Sequence, residues 1–155
     1  MTREEFQERC IVRRLGFGDS VKAFNCNDED LNDFLLNEAA LYRNALLSVT
    51  YVVEDKLTKE VIAYFSLSND KVSISDFDSK TEFNRFRKHK FVNEKRLRSY
   101  PAIKIGRLAI AEIAQHQSVG TYLLEFIEEY FISDNKSGCR FVTVDAYVDA
   151  IHFLH

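Results

Sequence analysis

The stretch from residue 102 to residue 147 reads AIKIGRLAIAEIAQHQSVGTYLLEFIEEYFISDNKSGCRFVTVDAY. Residues 102–110 predict a strand, because they alternate in part and are rich in branched apolar side chains. In residues 119–133 apolar side chains recur at helical spacing, and a cluster of turn-forming residues follows. Residues 140–147 predict a second strand, whose near-continuous apolar part is typical of burial on both faces. This order predicts a helical crossover between two parallel strands.

The residues before this stretch predict a helix and an antiparallel hairpin. Residues 25–44 have a helical pattern, in which Asn27 or Asp28 can cap the first N–H groups and an apolar stripe follows. Residues 47–54 and 61–68 are rich in β-branched and aromatic side chains, and a polar loop separates them. The fold class is therefore mixed α/β, with a partly antiparallel sheet.

Four further segments complete the prediction. Residues 10–15 predict a first strand, and residues 72–75 extend the second arm of the hairpin. Residues 77–95 are expected to be partly helical. Residues 148–155 have the pattern of the start of another helix.

Composition indicates one soluble domain that covers residues 1–155, since 46% of the residues are hydrophobic and 29% are charged. No apolar run approaches the roughly 18 residues of a membrane span, and the N-terminus carries no visible secretory signal, so we expect a cytoplasmic protein. Cys10, Cys26 and Cys139 cannot all pair, which predicts reduced thiols with at least Cys139 buried. The four histidines form no HExxH motif and predict no metal site.

Positive charge is concentrated between Lys80 and Arg107. This segment holds ten basic and two acidic residues, a net charge of +8, so the rest of the chain carries −11. Such asymmetry indicates either a basic face for an anionic partner or a solvated helix and loop with no partner. Phe83, Phe86 and Phe91 lie within the run, where they either stack on bases or belong to the core.

The turn between Ile110 and Val119 joins a strand to the N-terminus of a helix. Free N–H groups and the helix dipole favour an anion at such a place. Read from spacing alone, the turn is either a phosphate site or an ordinary connection.

Three stretches together, YPAIKIGRLAI, AQHQSVGTYLLEFI and CRFVTVDAY, resemble the GNAT family of acetyl-CoA-dependent N-acetyltransferases. That family has a loop of pattern Q/R-x-x-G-x-G/A, in which Gln115 matches the opening residue, Ser118 falls on the first glycine and Gly120 on the second. Residues 25–35 and the GRLA of residues 106–109 resemble a bacterial subgroup that includes the toxins of toxin–antitoxin pairs. The resemblance implies a GNAT-like (acyl-CoA N-acyltransferase) α/β fold, a mixed sheet flanked by helices.

The same resemblance implies acetyl-CoA as cofactor and a direct attack by a primary amine on its thioester. A backbone N–H near Ile110 is expected to polarise the thioester carbonyl. The implied cofactor-binding residues lie on the strand and in the loop that follows it: Leu108, Ala109, Ile110, Gln115, His116, Gln117, Ser118, Val119, Gly120 and Thr121.

Departures from the family pattern leave the catalytic residue unassigned. Ser118 stands where the family has glycine, and a Cβ there crowds a phosphate or disfavours positive φ. His116 replaces a frequent glycine and Ala114 a frequent aromatic residue, which gives the loop better helix formers than a phosphate loop usually has. Leu154 occupies the position of the tyrosine that commonly acts as general acid, and Tyr147 is one substitute. We also expect the last strands of the family fold to be missing, which would expose the edge of the strand at residues 140–147.

Two functions from different classes follow. The first is an N-acetyltransferase that acts on a primary amine, with aminoacyl-tRNA, bound through the segment from Lys80 to Arg107, as one candidate acceptor. The alternative is a catalytically degenerate domain that binds CoA or a partner chain. A second copy of the chain and an antitoxin are the candidate protein partners.

Overall fold

The computed structural model describes residues 1–73, 75, 77–90, 98–134, 136–144 and 151–153. Within these residues six strands form one sheet, in which the spatial order follows the chain order. The strands are β1 (Cys10–Arg14), β2 (Val49–Asp55), β3 (Val61–Ser73), β4 (Ser99–Ile110), β5 (Phe141–Val144) and β6 (Ile151–Phe153).

The direction of pairing changes once inside the sheet. Strands β1 to β4 are antiparallel to one another, and β6 is antiparallel to β5. The pair β4–β5 is parallel, with Ala102 opposite Phe141 and Ile105 opposite Val144. The predicted crossover between two parallel strands is therefore confirmed.

Helices cover both faces of the sheet. Their bounds are α1 (Arg3–Arg9), α2 (Glu29–Asp33), a π-helical turn (Phe34–Glu38), α3 (Ala39–Asn44), α4 (Lys80–Lys90), a 3-10 turn (Glu112–Ala114) and α5 (Val119–Asp134). Asp28 caps α2, because its side chain accepts a hydrogen bond from the N–H of Leu31. Among the described residues, no helix is long and apolar enough to cross a membrane.

Alternation along β3 divides the sheet into two faces. Phe65 and Leu67 pack with α5 in one core, to which the helix contributes Leu123, Ile127 and Phe131. Tyr64 and Val72 point to the opposite face, because side chains two residues apart share a face of a strand. On that second face, Tyr64 packs against Phe34 and Leu35, and Val72 packs against Phe83 of α4.

Several predicted boundaries were wrong. Residues 151–153 form strand β6 rather than part of a helix, and β6 pairs with β5, so β5 is not the exposed edge. Strand β4 begins three residues earlier than predicted, at Ser99, and includes Pro101 opposite Lys71. Cys10 and Cys26 are buried, whereas Cys139 is only partly buried. All three cysteines are free, as predicted.

Candidate functional site

Strand β4 contains a bulge at Gly106. Ile105 lies opposite Leu67 and Arg107 lies opposite Ser66, so Gly106 has no opposite residue on β3. The described pairing of β4 with β5 ends at Ile105, one residue before the bulge. Beyond that point residues 106–110 pair with β3 alone among the residues that the structure describes. The bulge therefore lies directly after the described part of the β4–β5 pairing.

The loop after β4 has a left-handed backbone at two positions. The φ of His116 is 61° and that of Ser118 is 64°, in a range that glycine adopts most readily. Both side chains are exposed, and histidine adopts this conformation more often than most residues do. The turn therefore requires the positive φ that the two departures from the family pattern disfavour. The chain keeps this backbone shape at some cost in conformational energy.

Gln115 anchors the loop from within. Its side-chain Nε2 donates to the carbonyl oxygens of Cys26 and Ile110, each at 3.0 Å. The N–H of Glu112 donates to the carbonyl oxygen of Asn25 at 2.8 Å, which ties the same segments together. The Gln115 side chain therefore stabilises the loop, and its amide nitrogen is bound to these two carbonyl oxygens.

Helix α5 begins directly after the loop with free donors. The N–H of Tyr122 donates to the carbonyl oxygen of Ser118 at 3.1 Å, which is the bond to the fourth preceding residue of an α-helix. The N–H groups of Val119, Gly120 and Thr121 belong to the turn before this bond. Val119 is 1% exposed and anchors the helix in the core. At Gly120, nothing lies within 4 Å of where a Cβ would be. The helix has 16 residues, and the N-terminus of such a helix favours an anion.

The three predicted residues of β4 lie between the bulge and this loop. Leu108 and Ile110 pack against the core under α5, whereas Ala109 is buried on the opposite face. The Ile110 carbonyl is already bound by Gln115. The predicted strand residues thus lead directly into the predicted loop residues. Within the loop, Gln117 Nε2 donates to the carbonyl oxygen of Ile113 at 3.2 Å.

On the face opposite α5, the bulge is flanked by polar groups that the sequence did not reveal. Thr143 Oγ1 donates to Oδ2 of Asp70 at 2.6 Å, from β5 across β4 to β3. Arg107 places its guanidinium carbon 3.8 Å from the ring centroid of Phe34. The position of Arg107 in the GRLA motif was the available signal, but the direction of its side chain depends on the bulge.

No general acid is assigned by the described side chains. Tyr64 lies opposite Ala109, but its hydroxyl donates to the carbonyl oxygen of Leu31 at 2.6 Å, and burial raises its pKa well above the ordinary value. Leu154 and Tyr147 lie outside the described residues. No group of three or more His, Cys, Asp or Glu in the described part of the chain could hold a metal ion.

Two large cavities lie apart from the loop. One of about 720 Å³ is between α1 and α5, and one of about 780 Å³ adjoins Ala111, Glu112 and Ile113. Neither is lined by residues 115–121.

Solved structures that are similar to this chain include those of AtaT and KacT. The structure of AtaT complexed with acetyl-methionyl-tRNAfMet matches with a TM-score of 0.70 and 19% identity, over 88% of this chain and 78% of that one. A mutant of KacT matches with a TM-score of 0.68 and 21% identity, over 89% of this chain and 78% of that one. AtaTR bound with AcCoA matches with a TM-score of 0.67 and 20% identity, over 90% and 78%.

Comparisons by sequence add nothing to this result: no family model and no curated protein matches the chain. At the identities of about 20% found here, structural likeness establishes the fold. The GNAT-like fold that the sequence resemblance implied is confirmed, and the chain has the fold of the AtaT and KacT toxin acetyltransferases.

Proposed function

We propose that this chain is an acetyl-CoA-dependent N-acetyltransferase whose acceptor is the amine of an aminoacyl-tRNA. One observation carries the proposal: the left-handed loop at His116 and Ser118 leads from the end of β4 into the N-terminus of α5, whose first N–H groups precede the intrahelical hydrogen bonds. A phosphate fits this helix N-terminus because its donors are free and its dipole favours negative charge.

Acetyl-CoA would supply an acetyl thioester that a primary amine attacks. The N–H groups of Val119, Gly120 and Thr121 would hold the pyrophosphate, while the backbone of residues 106–110 would hold the pantetheine arm. The bulge at Gly106 interrupts the regular pairing of β4 with β3. We therefore place the N–H that polarises the thioester carbonyl near the bulge rather than near Ile110. Alignment of the amine and this hydrogen bond would provide the rate enhancement.

Basic residues support an RNA acceptor. Lys80, Arg85 and Arg98 are exposed, and α4 packs on the same face of the sheet as Arg107. Phe83 of α4 is fully buried in the core, so the alternative prediction that it stacks on bases is wrong. Phe91 lies outside the described residues. Among the structures with this fold, AtaT has been captured with acetyl-methionyl-tRNAfMet. Such an acceptor places the protein in the cytoplasm.

The test combines cofactor binding with acetyl transfer. At a ligand concentration one hundred times Kd, acetyl-CoA would stabilise the folded chain by about 2.7 kcal/mol. That gain raises the midpoint of thermal unfolding by roughly 5–11 °C for a domain of this size. Transfer of labelled acetyl from acetyl-CoA to methionyl-tRNA should then be detected, with deacylated tRNA as the blank. No shift with millimolar acetyl-CoA would overturn the proposal.

A matched pair of variants tests the location. Ser118→Asp puts a carboxylate beside the amides of α5, so we expect it to abolish the acetyl-CoA shift. Ser133→Asp puts the same charge on an exposed position near the other end of the same helix and should keep the shift. Equal shifts in the two variants would move the cofactor site away from this helix N-terminus.

A partner-binding role is the second candidate. Structures with this fold include AtaT bound to the C-terminus of the antitoxin AtaR and a KacTA–DNA complex. An antitoxin partner for this chain is therefore a proposal that holds with or without catalysis. An acetyl-CoA shift without acetyl transfer would favour this candidate over the enzyme.

A further inference from the structure

Arg107 lies on the face of the sheet opposite α5, the face that packs against Phe34. It follows the bulge residue Gly106 and lies opposite Ser66 on β3. Ser66 shares its face with Tyr64, because the two are separated by two positions on one strand. Arg107 therefore points away from α5, toward the π-helical turn and α3.

The guanidinium of Arg107 is held by aromatic rings. Its central carbon lies 3.8 Å from the ring centroid of Phe34 and 5.3 Å from that of Tyr42. Phe34 is 1% exposed and packs against Tyr64, with 6.2 Å between the ring centroids. The ring beneath the cation is thus a fixed part of the core, and stacking restricts the orientation of the guanidinium.

Arg107 differs from Arg3, Arg9 and Arg13 in its charge partners, whereas Arg14 and Arg43 resemble it in having no ion pair among the described residues. Arg3 pairs with Glu125, Arg9 with Asp55, and Arg13 with Glu54. No ion pair of Arg107 with a carboxylate occurs in the part of the chain that the structure describes. A partly buried cation without a carboxylate is costly in a folded protein, and such groups are often functional.

The stacked guanidinium of Arg107 keeps a specific set of N–H donors. When a guanidinium stacks by its face, its N–H groups still point outward in the plane of the group, where they match two oxygens of a phosphate or carboxylate. Lys104 lies on β4 opposite Ser68 and so shares the same face. Arg107 and Lys104 therefore place two cations on one face of β4, on either side of the bulge, where they favour an anion.

We propose that Arg107 binds the phosphodiester nearest to the amine-bearing end of the acceptor RNA and thereby positions the amine at the bulge. The proposal rests on the proposed function, since the acceptor is taken to be an aminoacyl-tRNA. In that molecule a ribose separates the esterified amino acid from the nearest phosphate. One side chain adjacent to the bulge can hold the phosphate while the amine reaches the cleft.

The experiment measures tRNA binding and acetyl transfer separately. The variants are Arg107→Met, which keeps an apolar stem on Phe34, and Arg107→Lys, which keeps the charge but not the planar fork. Arg14→Met is the matched control, because Arg14 is an exposed arginine on β1, three strands away from β4. Each protein is titrated with deacylated tRNA at several salt concentrations, and its thermal midpoint is measured with and without acetyl-CoA.

For Arg107→Met we expect tRNA affinity to fall at least tenfold and kcat/KM for methionyl-tRNA to fall by at least the same factor. The slope of log affinity against log salt should shrink by about 0.7–0.9, which corresponds to one lost phosphate contact. The acetyl-CoA shift should be unchanged. Arg107→Lys should bind between wild type and Arg107→Met, and Arg14→Met should match wild type.

Three results would overturn the inference. The first is wild-type tRNA affinity in Arg107→Met, as expected if the residue instead met an acidic peptide. The second is a loss of acetyl-CoA binding and thermal stability in step with the loss of tRNA binding, which indicates a structural role. The third is a wild-type chain that binds acetyl-CoA but not tRNA. A wild-type chain that binds tRNA but not acetyl-CoA would instead refute the proposed function and leave the Arg107 contact measurable.

Discussion

Gln115 and Cys26 are 89 residues apart in the chain, yet Nε2 of Gln115 donates to the carbonyl oxygen of Cys26 at 3.0 Å. The same nitrogen donates to the Ile110 carbonyl at the end of β4. One amide therefore joins the loop after β4, the end of β4 itself and the segment that leads into α2. The shape of the candidate site depends on this junction as much as on the loop itself.

We expect Gln115→Met to destabilise the fold by about 1–3 kcal/mol, because two carbonyls lose their side-chain donor. For a domain of this size that loss lowers the thermal midpoint by about 2–12 °C. Gln117→Met is the control, since Gln117 makes one exposed bond to the Ile113 carbonyl, and it should change stability by less than about 0.5 kcal/mol. Equal losses in the two variants would show that Gln115 is not the anchor.

Ser118→Gly should stabilise the chain. A left-handed backbone costs an L-residue roughly 1–2 kcal/mol, while glycine in its place costs roughly 0.5–1 kcal/mol in entropy. We therefore expect a net gain of about 0.5–1 kcal/mol in denaturant unfolding, with acetyl-CoA affinity equal or higher. His116→Gly should act in the same direction, because its φ is 61°.

The reverse substitution at a similar backbone position provides the control. Gly138 has a φ of 62°, and nothing lies within 4 Å of where its Cβ would be. Gly138→Ser therefore tests conformation without a clash, and it should cost about what Ser118→Gly gains. A loss of stability in Ser118→Gly would contradict the left-handed conformation of the loop.

Apolar periodicity was sufficient to predict most of the regular elements. The helix at residues 119–133 and the strands at residues 10–15 and 102–110 were found within a few residues of their observed bounds, because each buries one face or both. Helix α1 was missed, although Thr2 and Glu5 form a capping box, which is a pattern that predicts the start of a helix. Strand β6 was missed because three residues are too few to show an alternating apolar pattern. Their extended conformation is evident only from the pairing with β5.

The candidate site was predictable in place but not in detail. The resemblance located the loop from Gln115 to Gly120, whose amides are backbone groups that any residue supplies. It did not reveal that the side chain of Gln115 points inward, because that direction is set by carbonyls distant in sequence. The stacking of Arg107 on Phe34 was equally hidden, since the bulge at Gly106 decides which face Arg107 occupies.

The Asp70–Thr143 hydrogen bond should couple β3 to β5 energetically. Thr143 is 7% exposed, and its Oγ1 lies 2.6 Å from Oδ2 of Asp70. In a double-mutant cycle of Thr143→Val and Asp70→Ala we expect a coupling of about 1.5–3 kcal/mol, the range for hydrogen bonds to charged groups. The exposed Asn37–Asp33 bond, also 2.6 Å long, is the control and should couple by less than about 1 kcal/mol. Similar couplings in both cycles would show that burial adds nothing to the bond across the sheet.

Two tyrosines, the buried Tyr64 and the partly buried Tyr51, should make stability fall at alkaline pH. Burial raises the pKa of Tyr64 well above its ordinary value, and burial together with a hydrogen bond to Tyr130 raises the pKa of Tyr51 to about 12. Above a pH of about 10 the unfolded chain releases these protons while the folded chain retains them. The contribution of these two tyrosines to the free energy of unfolding should therefore be constant below pH 10. It should decrease as the pH rises from about 10 toward the pKa values of the folded chain.

Tyr64→Phe separates the contribution of one ring from that of the other. At pH 7 the variant should be less stable by roughly 0.5–1.5 kcal/mol, because the hydroxyl no longer donates to the Leu31 carbonyl. The deficit should shrink between pH 10 and pH 11.5, since phenylalanine has no proton to lose, while the contribution of Tyr51 remains. Urea unfolding at half-unit steps of pH measures both effects, and adding Tyr51→Phe should flatten the curve further. A deficit that stayed constant from pH 7 to pH 11.5 would mean that Tyr64 titrates alike in the folded and unfolded chains.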